Sequence, residues 1–230
     1  MSGLFSKIKL LYSGKARRAA KDKETLELGS AKERFEHIYK NRLWTDKESI
    51  SGTGSTLDFT KSIRQHLPRI FEIFKISSVL DAPCGDFNWM QHVLKECNGI
   101  DYTGGDIVGA LIQENNKKYA ANNILFVTLD ITKDILPEAD LIIVRDCLFH
   151  LSYADISLFL KNLSMSNIKY ILTTGHIGVE NTDIVSGSYR DINLFTEPFG
   201  WSEKFLYEVE EEGRKMYLFK CSQLPISINL

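Results

Sequence analysis

Four aspartates in this chain stand at the ends of apolar runs. Asp81 follows Val79-Leu80, Asp106 follows Gly104-Gly105, Asp130 closes the run from Ile124 to Leu129, and Asp146 follows Leu141-Ile142-Ile143-Val144 by two residues. Aspartate favours turns, so one such acid is ordinary. A carboxylate at the end of a buried strand nevertheless costs desolvation unless a ligand or backbone donors satisfy it. Four at successive strand ends therefore read as a binding rim. Asp106 lies 21 residues after Gly85, a spacing at which an acid hydrogen-bonds ribose hydroxyls in nucleotide-binding sheets. Two histidines also follow strand ends: His150, four residues beyond Asp146, and His176, after Thr173-Thr174-Gly175. Asp146, His150 and His176 are the candidate bases for proton removal, being titratable groups at a rim. A packed histidine or a helix-capping aspartate is the plainer alternative at each.

These residues need a sheet to line them up, and the chain supplies one. Strands are expected at 78–81, 101–106, 124–129, 140–144 and 169–173, with helices at 87–96, 109–121 and 153–163 between them. Near-continuous apolar strands alternating with helices mean an α/β fold with a mostly parallel sheet covered on both faces. Two further runs, 204–209 and 216–220, flank Glu210-Glu211-Glu212-Gly213-Arg214 and form an antiparallel C-terminal hairpin. Ahead of the sheet, 30–42 and 56–75 read as helices. Pro68 either kinks the second or splits it. Between them, Trp44 to Ser55 is polar and glycine-rich: a connector, or a loop offering hydroxyls and close backbone approach to a ligand.

The stretch Leu80-Asp81-Ala82-Pro83-Cys84-Gly85-Asp86-Phe87-Asn88-Trp89-Met90 resembles motif I of class I S-adenosylmethionine-dependent methyltransferases: apolar strand, acid, then a turn with spaced glycines. Pro83 and Phe87 stand where that pattern often has glycine. The five-strand alternation with its terminal hairpin is similar to the Rossmann-like seven-stranded sheet of that family. Together with Glu48-Ser49-x-Ser51-Gly52-x-Gly54-Ser55, Ile63-Arg64, and Arg190-x-x-Asn193-Leu194, the chain looks like a subgroup associated with O-methylation of surface glycans. The resemblance implies S-adenosylmethionine as cofactor. Asp81, Pro83, Gly85 and Asp86 would then surround its methionine part, Asp106 and Ile107 its ribose, and Asp130 and Ile131 its adenine. Trp44, Ser51, Gly52 and Ser55 would close over it from a helical N-terminal cap, with Arg64 pairing its carboxylate. A nicotinamide site would want Gly-x-Gly-x-x-Gly in the first turn, which has one glycine.

The segment 181–201 is long, polar and aromatic. Tyr189, Arg190 and Asn193 offer donors, and Phe199 and Trp201 flat apolar faces. That mixture suits a sugar. The alternative is a loop whose aromatics fill the edge of the core.

Composition bounds the remaining classes. The chain has 230 residues, 43% hydrophobic and 25% charged, with net charge −2. Residues 1–23 carry seven cations and one acid, which leaves the rest at −8. Nucleic acid is therefore not an expected partner. The basic start is either a peripheral contact with anionic lipid or a partner protein, or a solvated terminus. Four scattered cysteines without a Cys-x-x-Cys pair argue against zinc and a disulfide scaffold. No residue is assigned to a metal, and the alternative is a Mg²⁺-assisted mechanism with Asp146 and the other rim acids holding the cation. No apolar run spans a bilayer and no signal peptide is visible, which points to the cytoplasm, with the inner face of a membrane as a variant. Nothing in the sequence sets an oligomeric state.

The reading is a basic arm at 1–29, a helical cap at 30–76 and a methyltransferase domain at 77–230. The expected activity is O-methylation of a sugar hydroxyl of a glycan. The alternatives are methylation of another small molecule, and a non-catalytic binding module on the same fold.

Overall fold

The apolar runs become strands whose neighbouring side chains point to opposite sheet faces, both covered. The computed structural model describes residues 22–228. Its seven strands are β1 (Ser78–Asp81), β2 (Asp101–Asp106), β3 (Ile124–Thr128), β4 (Leu141–Val144), β5 (Tyr170–Gly175), β6 (Tyr207–Glu211) and β7 (Arg214–Lys220). The order across the sheet is β3-β2-β1-β4-β5-β7-β6. Strands β1 to β5 pair in parallel, while β7 is antiparallel to both β5 and β6. The chain runs outward from β1 to β3 and then returns to β4 on the other flank of β1. That reversal opens a crevice at the carboxyl ends of β1 and β4.

The helices are α1 (Ala31–Lys40), α2 (Lys61–Phe74), α3 (Met90–Glu96), α4 (Gly109–Tyr119) and α5 (Tyr153–Ser164). Ser30 caps α1 in a reciprocal box with Glu33. Helix α2 buries Ile63, Leu67, Ile70 and Phe71 along one stripe. One core cluster gathers α2, α3 and strand residues such as Val79, Leu141, Ile143 and Leu218. The other gathers α5 with Leu80, Ile142, Val144 and Phe219, and takes in Ile192, Leu194, Phe199 and Trp201 from the 176–206 segment.

Several boundaries differ from expectation for local reasons. Helix α2 starts at Lys61 because Thr56 and Thr60 hydroxyls donate to the carbonyls of Thr53 and Thr56 (2.8 and 2.7 Å), holding 56–60 as turns. Pro68 sits inside one uninterrupted helix. Helix α3 starts at Met90 because Phe87 is left-handed (φ 59°). The hairpin turns at Glu212-Gly213, so β6 begins at Tyr207 and β7 at Arg214. Most of the basic arm, residues 1–21, lies outside the described residues. Among the described residues no helix is long and apolar enough to cross a membrane.

Candidate functional site

One cavity of about 470 Å³ opens at the carboxyl ends of β1 to β4. Its wall includes Asp81, Pro83, Gly85, Asp106, Ile107, Asp130 and Ile131 from the first three strand ends. Asp146, Cys147, Phe149 and His150 come from the fourth, and Trp44, Ser51, Gly52 and Ser55 from the N-terminal segment.

The N-terminal loop is stitched to the first turn of the sheet. Asp86 Oδ2 accepts from Ser49 Oγ (2.8 Å) and the Ile50 N–H (2.9 Å), and the Asp86 N–H donates to Ser51 Oγ (2.9 Å). Asn88 donates to Glu48 (2.7 Å) and to the Ser55 carbonyl (3.0 Å). Gly85 is left-handed (φ 56°), and a Cβ there would lie 2.5 Å from Ser51 Oγ, so only glycine lets the two segments meet. Phe87 takes the left-handed turn (φ 59°) without being glycine. Its ring is buried against Tyr102, Tyr119 and Phe126, centroids 5.0 to 5.2 Å away. Aromatic burial offsets the backbone cost.

The three acids differ in how they are satisfied. Asp106 accepts from the N–H groups of Gly85 (3.2 Å) and Val108 (3.0 Å), yet burial pushes its carboxyl up to about 6. Asp81 is 1% exposed. The Tyr102 hydroxyl donates to its Oδ2 (2.8 Å), while Oδ1 has no partner. Burial pushes this carboxyl up to about 7, against the pull of Tyr102 and Arg145. Burial also acts on Asp130, but the Thr132 donors and Lys133 prevail and hold its carboxyl below the usual range.

At the β4 end, His150 packs flat on Trp44, ring centroids 4.3 Å apart. One ring nitrogen, Nδ1, lies 2.7 Å from the Ser188 carbonyl. A carbonyl only accepts, so Nδ1 carries the proton and Nε2 is left as the acceptor. Burial lowers the imidazole to about 4, so it stays neutral at physiological pH.

Six expected site residues are placed differently. Asp146 is not a free base. Its Oδ2 pairs with Arg214 (2.5 Å) and Arg145 (3.2 Å), and its Oδ1 accepts from the Thr174 hydroxyl (3.2 Å). His176 does not line the cavity: its Nδ1 accepts from the Ile192 N–H (3.1 Å) and its Nε2 faces Asp191 (3.4 Å). Arg64 turns back onto the Leu57 carbonyl (2.7 Å) and Thr60 (3.3 Å), away from the cavity. Asp86 holds the loop just described rather than the cavity wall. Arg190 is buried under the wall, donating to the Leu151 carbonyl (2.7 Å). The Asn193 side chain accepts from the Phe195 N–H (3.1 Å). Of the loop's three donors only Tyr189 reaches the cavity, and Phe199 and Trp201 are core.

The sequence reading missed a buried ion network. Arg145 reaches Glu211 (3.0 Å), whose side chain is fully buried, and the Gly54 carbonyl (2.8 Å). Arg214 joins Glu211 (3.3 Å) to Asp146 and lies over the Phe59 ring. It also missed Phe35 and Tyr39 of α1 on the wall. The Arg145-Asp146 dipeptide was the available signal; Arg214 and Glu211 gave none at their distance in sequence.

No protein-family pattern matches the chain, and no curated protein is similar to it in sequence. Solved structures are similar in three dimensions. Human N-acetylserotonin methyltransferase, in complex with S-adenosylmethionine, superposes with TM-score 0.56 at 16% identity over 81% of this chain. PigF with S-adenosylhomocysteine gives 0.60 at 13% over 81%. Magnesium protoporphyrin IX methyltransferase from Synechocystis PCC 6803, with bound S-adenosylmethionine, gives 0.55 at 12% over 84%. The fold is that of the S-adenosylmethionine-dependent methyltransferases. The chain spans 58% of the human enzyme and 61% of PigF, but its match extends over 97% of the Synechocystis protein.

In a methyltransferase fold this cavity suits the cofactor on three counts. The buried, unpartnered Oδ1 of Asp81 calls for a cationic donor, which an α-ammonium provides. Asp106 keeps lone pairs for ribose hydroxyls beyond the two backbone donors it accepts. Ile107, Val108, Leu111, Leu129 and Ile131 give the adenine an apolar slot. A Cβ on Gly105 would sit 2.7 Å from Leu129 Cδ2, so the slot has no room for one.

Proposed function

We propose that the chain is an S-adenosylmethionine-dependent O-methyltransferase. The observation that carries this is a single cavity holding both an orphaned acid among three strand-end carboxylates and a neutral histidine with its tautomer fixed. Bound along the β1 to β3 rim, the cofactor supplies an electrophilic methyl group on a sulfonium. His150 Nε2 would accept the proton of the acceptor hydroxyl, whose oxygen would take the methyl while the S–CH3 bond pair stays on sulfur and S-adenosylhomocysteine leaves as a neutral thioether. Trp44 and Tyr189 hold the acceptor beside it, and the stitched N-terminal loop excludes water. Asp146 anchors Arg145 and Arg214 at this wall.

The acceptor we favour is a sugar hydroxyl of a glycan, which would stack on Trp44 and Tyr189. A second reading is a flat aromatic small molecule, because Phe35, Tyr39, Trp44, Phe149 and Tyr189 all line the cavity. Two of the solved neighbours are named for small-molecule acceptors, N-acetylserotonin and magnesium protoporphyrin IX. Transfer of labelled methyl from S-adenosylmethionine to a panel of saccharides and hydroxylated aromatics separates the readings. Label on a saccharide alone supports the first, label on an aromatic alone the second, and no transfer to any acceptor despite cofactor binding favours a binding module.

A further inference from the structure

Arg190 is buried, 7% exposed, and its guanidinium has no carboxylate within ion-pairing distance among the described residues. Two of its nitrogens, Nε and Nη2, have no partner. A buried cation without a counter-ion is costly, so its one set of strong contacts is informative. Those contacts all fall on the turn that carries His150. Arg190 Nη1 donates to the carbonyls of Leu151 (2.7 Å) and Phe149 (3.4 Å), and the Arg190 N–H donates to Phe149 as well (3.1 Å). The His150 carbonyl between them takes the Gly187 N–H (2.8 Å). The carbonyl of Ser188, two residues before Arg190, takes the His150 Nδ1 proton (2.7 Å). Ser186 accepts from the Ser152 N–H (2.8 Å) and donates to Asp155. Segment 186–190 thus grips residues 149–152 through successive backbone groups. Arg190 supplies the cation in this grip, and its guanidinium carbon lies over the Tyr153 ring, 5.1 Å from the ring centroid.

The geometry points to Arg190 as a positioning residue that locks His150 in its Nδ1–H tautomer, with Nε2 presented to the cavity. Its side chain does not line the cavity. The charged groups whose fields reach the imidazole are Asp146, Arg190 and Arg214, so loss of Arg190 alters both the clamp and the local charge. The catalytic consequence rests on the methyltransferase reading, whereas the tautomer lock does not.

The test is nitrogen-15 histidine spectroscopy on wild type, Arg190→Met and Arg190→Lys, with kcat and KM beside it. In Arg190→Met, His150 is expected to populate the Nε2–H tautomer and to titrate nearer 6.5. Its kcat is expected to fall about 10- to 100-fold, as for lost support of a ligating or reacting histidine, with KM for S-adenosylmethionine within about twofold. Arg190→Lys, which keeps the charge and one donor, is expected to lie between. Wild-type His150 spectra in an Arg190→Met protein that still binds the cofactor overturn the proposal. If the methionine variant does not fold, wild-type spectra and kcat in Arg190→Lys overturn it instead. A tautomer shift in a protein whose wild type transfers no methyl upholds the lock and removes the proposed function.

Discussion

Tyr102 donates its hydroxyl to Asp81 Oδ2 at 2.8 Å and leaves Oδ1, equally buried, with nothing. They sit on the paired strands β1 and β2: Asp81 closes β1 at the end where the cavity begins, and Tyr102 reaches it from near the start of β2. A half-satisfied buried carboxylate is a cost to the fold, and burial raises its affinity for a proton. A cationic ligand group removes that cost. The same acid therefore links stability, pH and cofactor binding.

Asp81→Asn should stabilise the free protein while crippling the site. The folded-state carboxyl titrates at about 7 against 3.8 unfolded, so its contribution is full below about pH 4 and is lost as pH rises through 7. Asparagine mimics the protonated form. Its Tm is expected to exceed wild type at pH 8 by several degrees, at about 2–4 °C per kcal/mol, with no gain near pH 4. Cofactor affinity is expected to fall tenfold or more. An unchanged affinity removes Asp81 from the site.

His150→Gln should lower kcat by about 10² or more with little change in cofactor Kd, whereas His176→Gln should act mainly on stability. The folded imidazole of His150 titrates at about 4 against 6.5 unfolded. The unfolded chain then takes up protons that the folded one refuses, so this part of stability falls as pH drops from about 6.5 towards 4. The acid limb of kcat is expected near 4. A limb at 6.5 in the pH profile would contradict the buried, neutral base.

Glu211→Gln should strip Arg145 of its fully buried partner. Breaking such a pair typically costs about 3–5 kcal/mol. A Tm lowered by about 10 °C is expected from thermal melts, and a wild-type Tm would show the network to be dispensable.

Gly85→Ala should loosen the loop over the cavity, because its Cβ meets Ser51 Oγ at 2.5 Å and its φ is positive. Cofactor Kd is expected to rise about tenfold or more, with the overall fold kept by circular dichroism. Equal affinity would mean that the loop plays no part in binding.

The strands were legible because each is a short apolar run ending in a turn residue, and the order of runs gave the parallel sheet. The strand-end acids were legible for the same reason, since their place follows from the strand. The side chains of long loops were not. Arg190, Asn193 and Arg64 look alike as donors in a sequence, and only packing decides whether a donor faces a cavity or a neighbouring carbonyl. Asp146 read as a free acid because Arg214 and Glu211 arrive from β6 and β7, more than sixty residues later. Phe87 looked like a departure from a glycine pattern, yet it adopts the glycine-like φ and buries its ring.

Calorimetric titration of the wild-type chain with S-adenosylmethionine and S-adenosylhomocysteine tests the central claim most directly, with Asp106→Ala alongside. The account predicts micromolar binding at one site, weakened about tenfold or more when the charged partner is lost. Absence of binding of either compound to the wild type would contradict it.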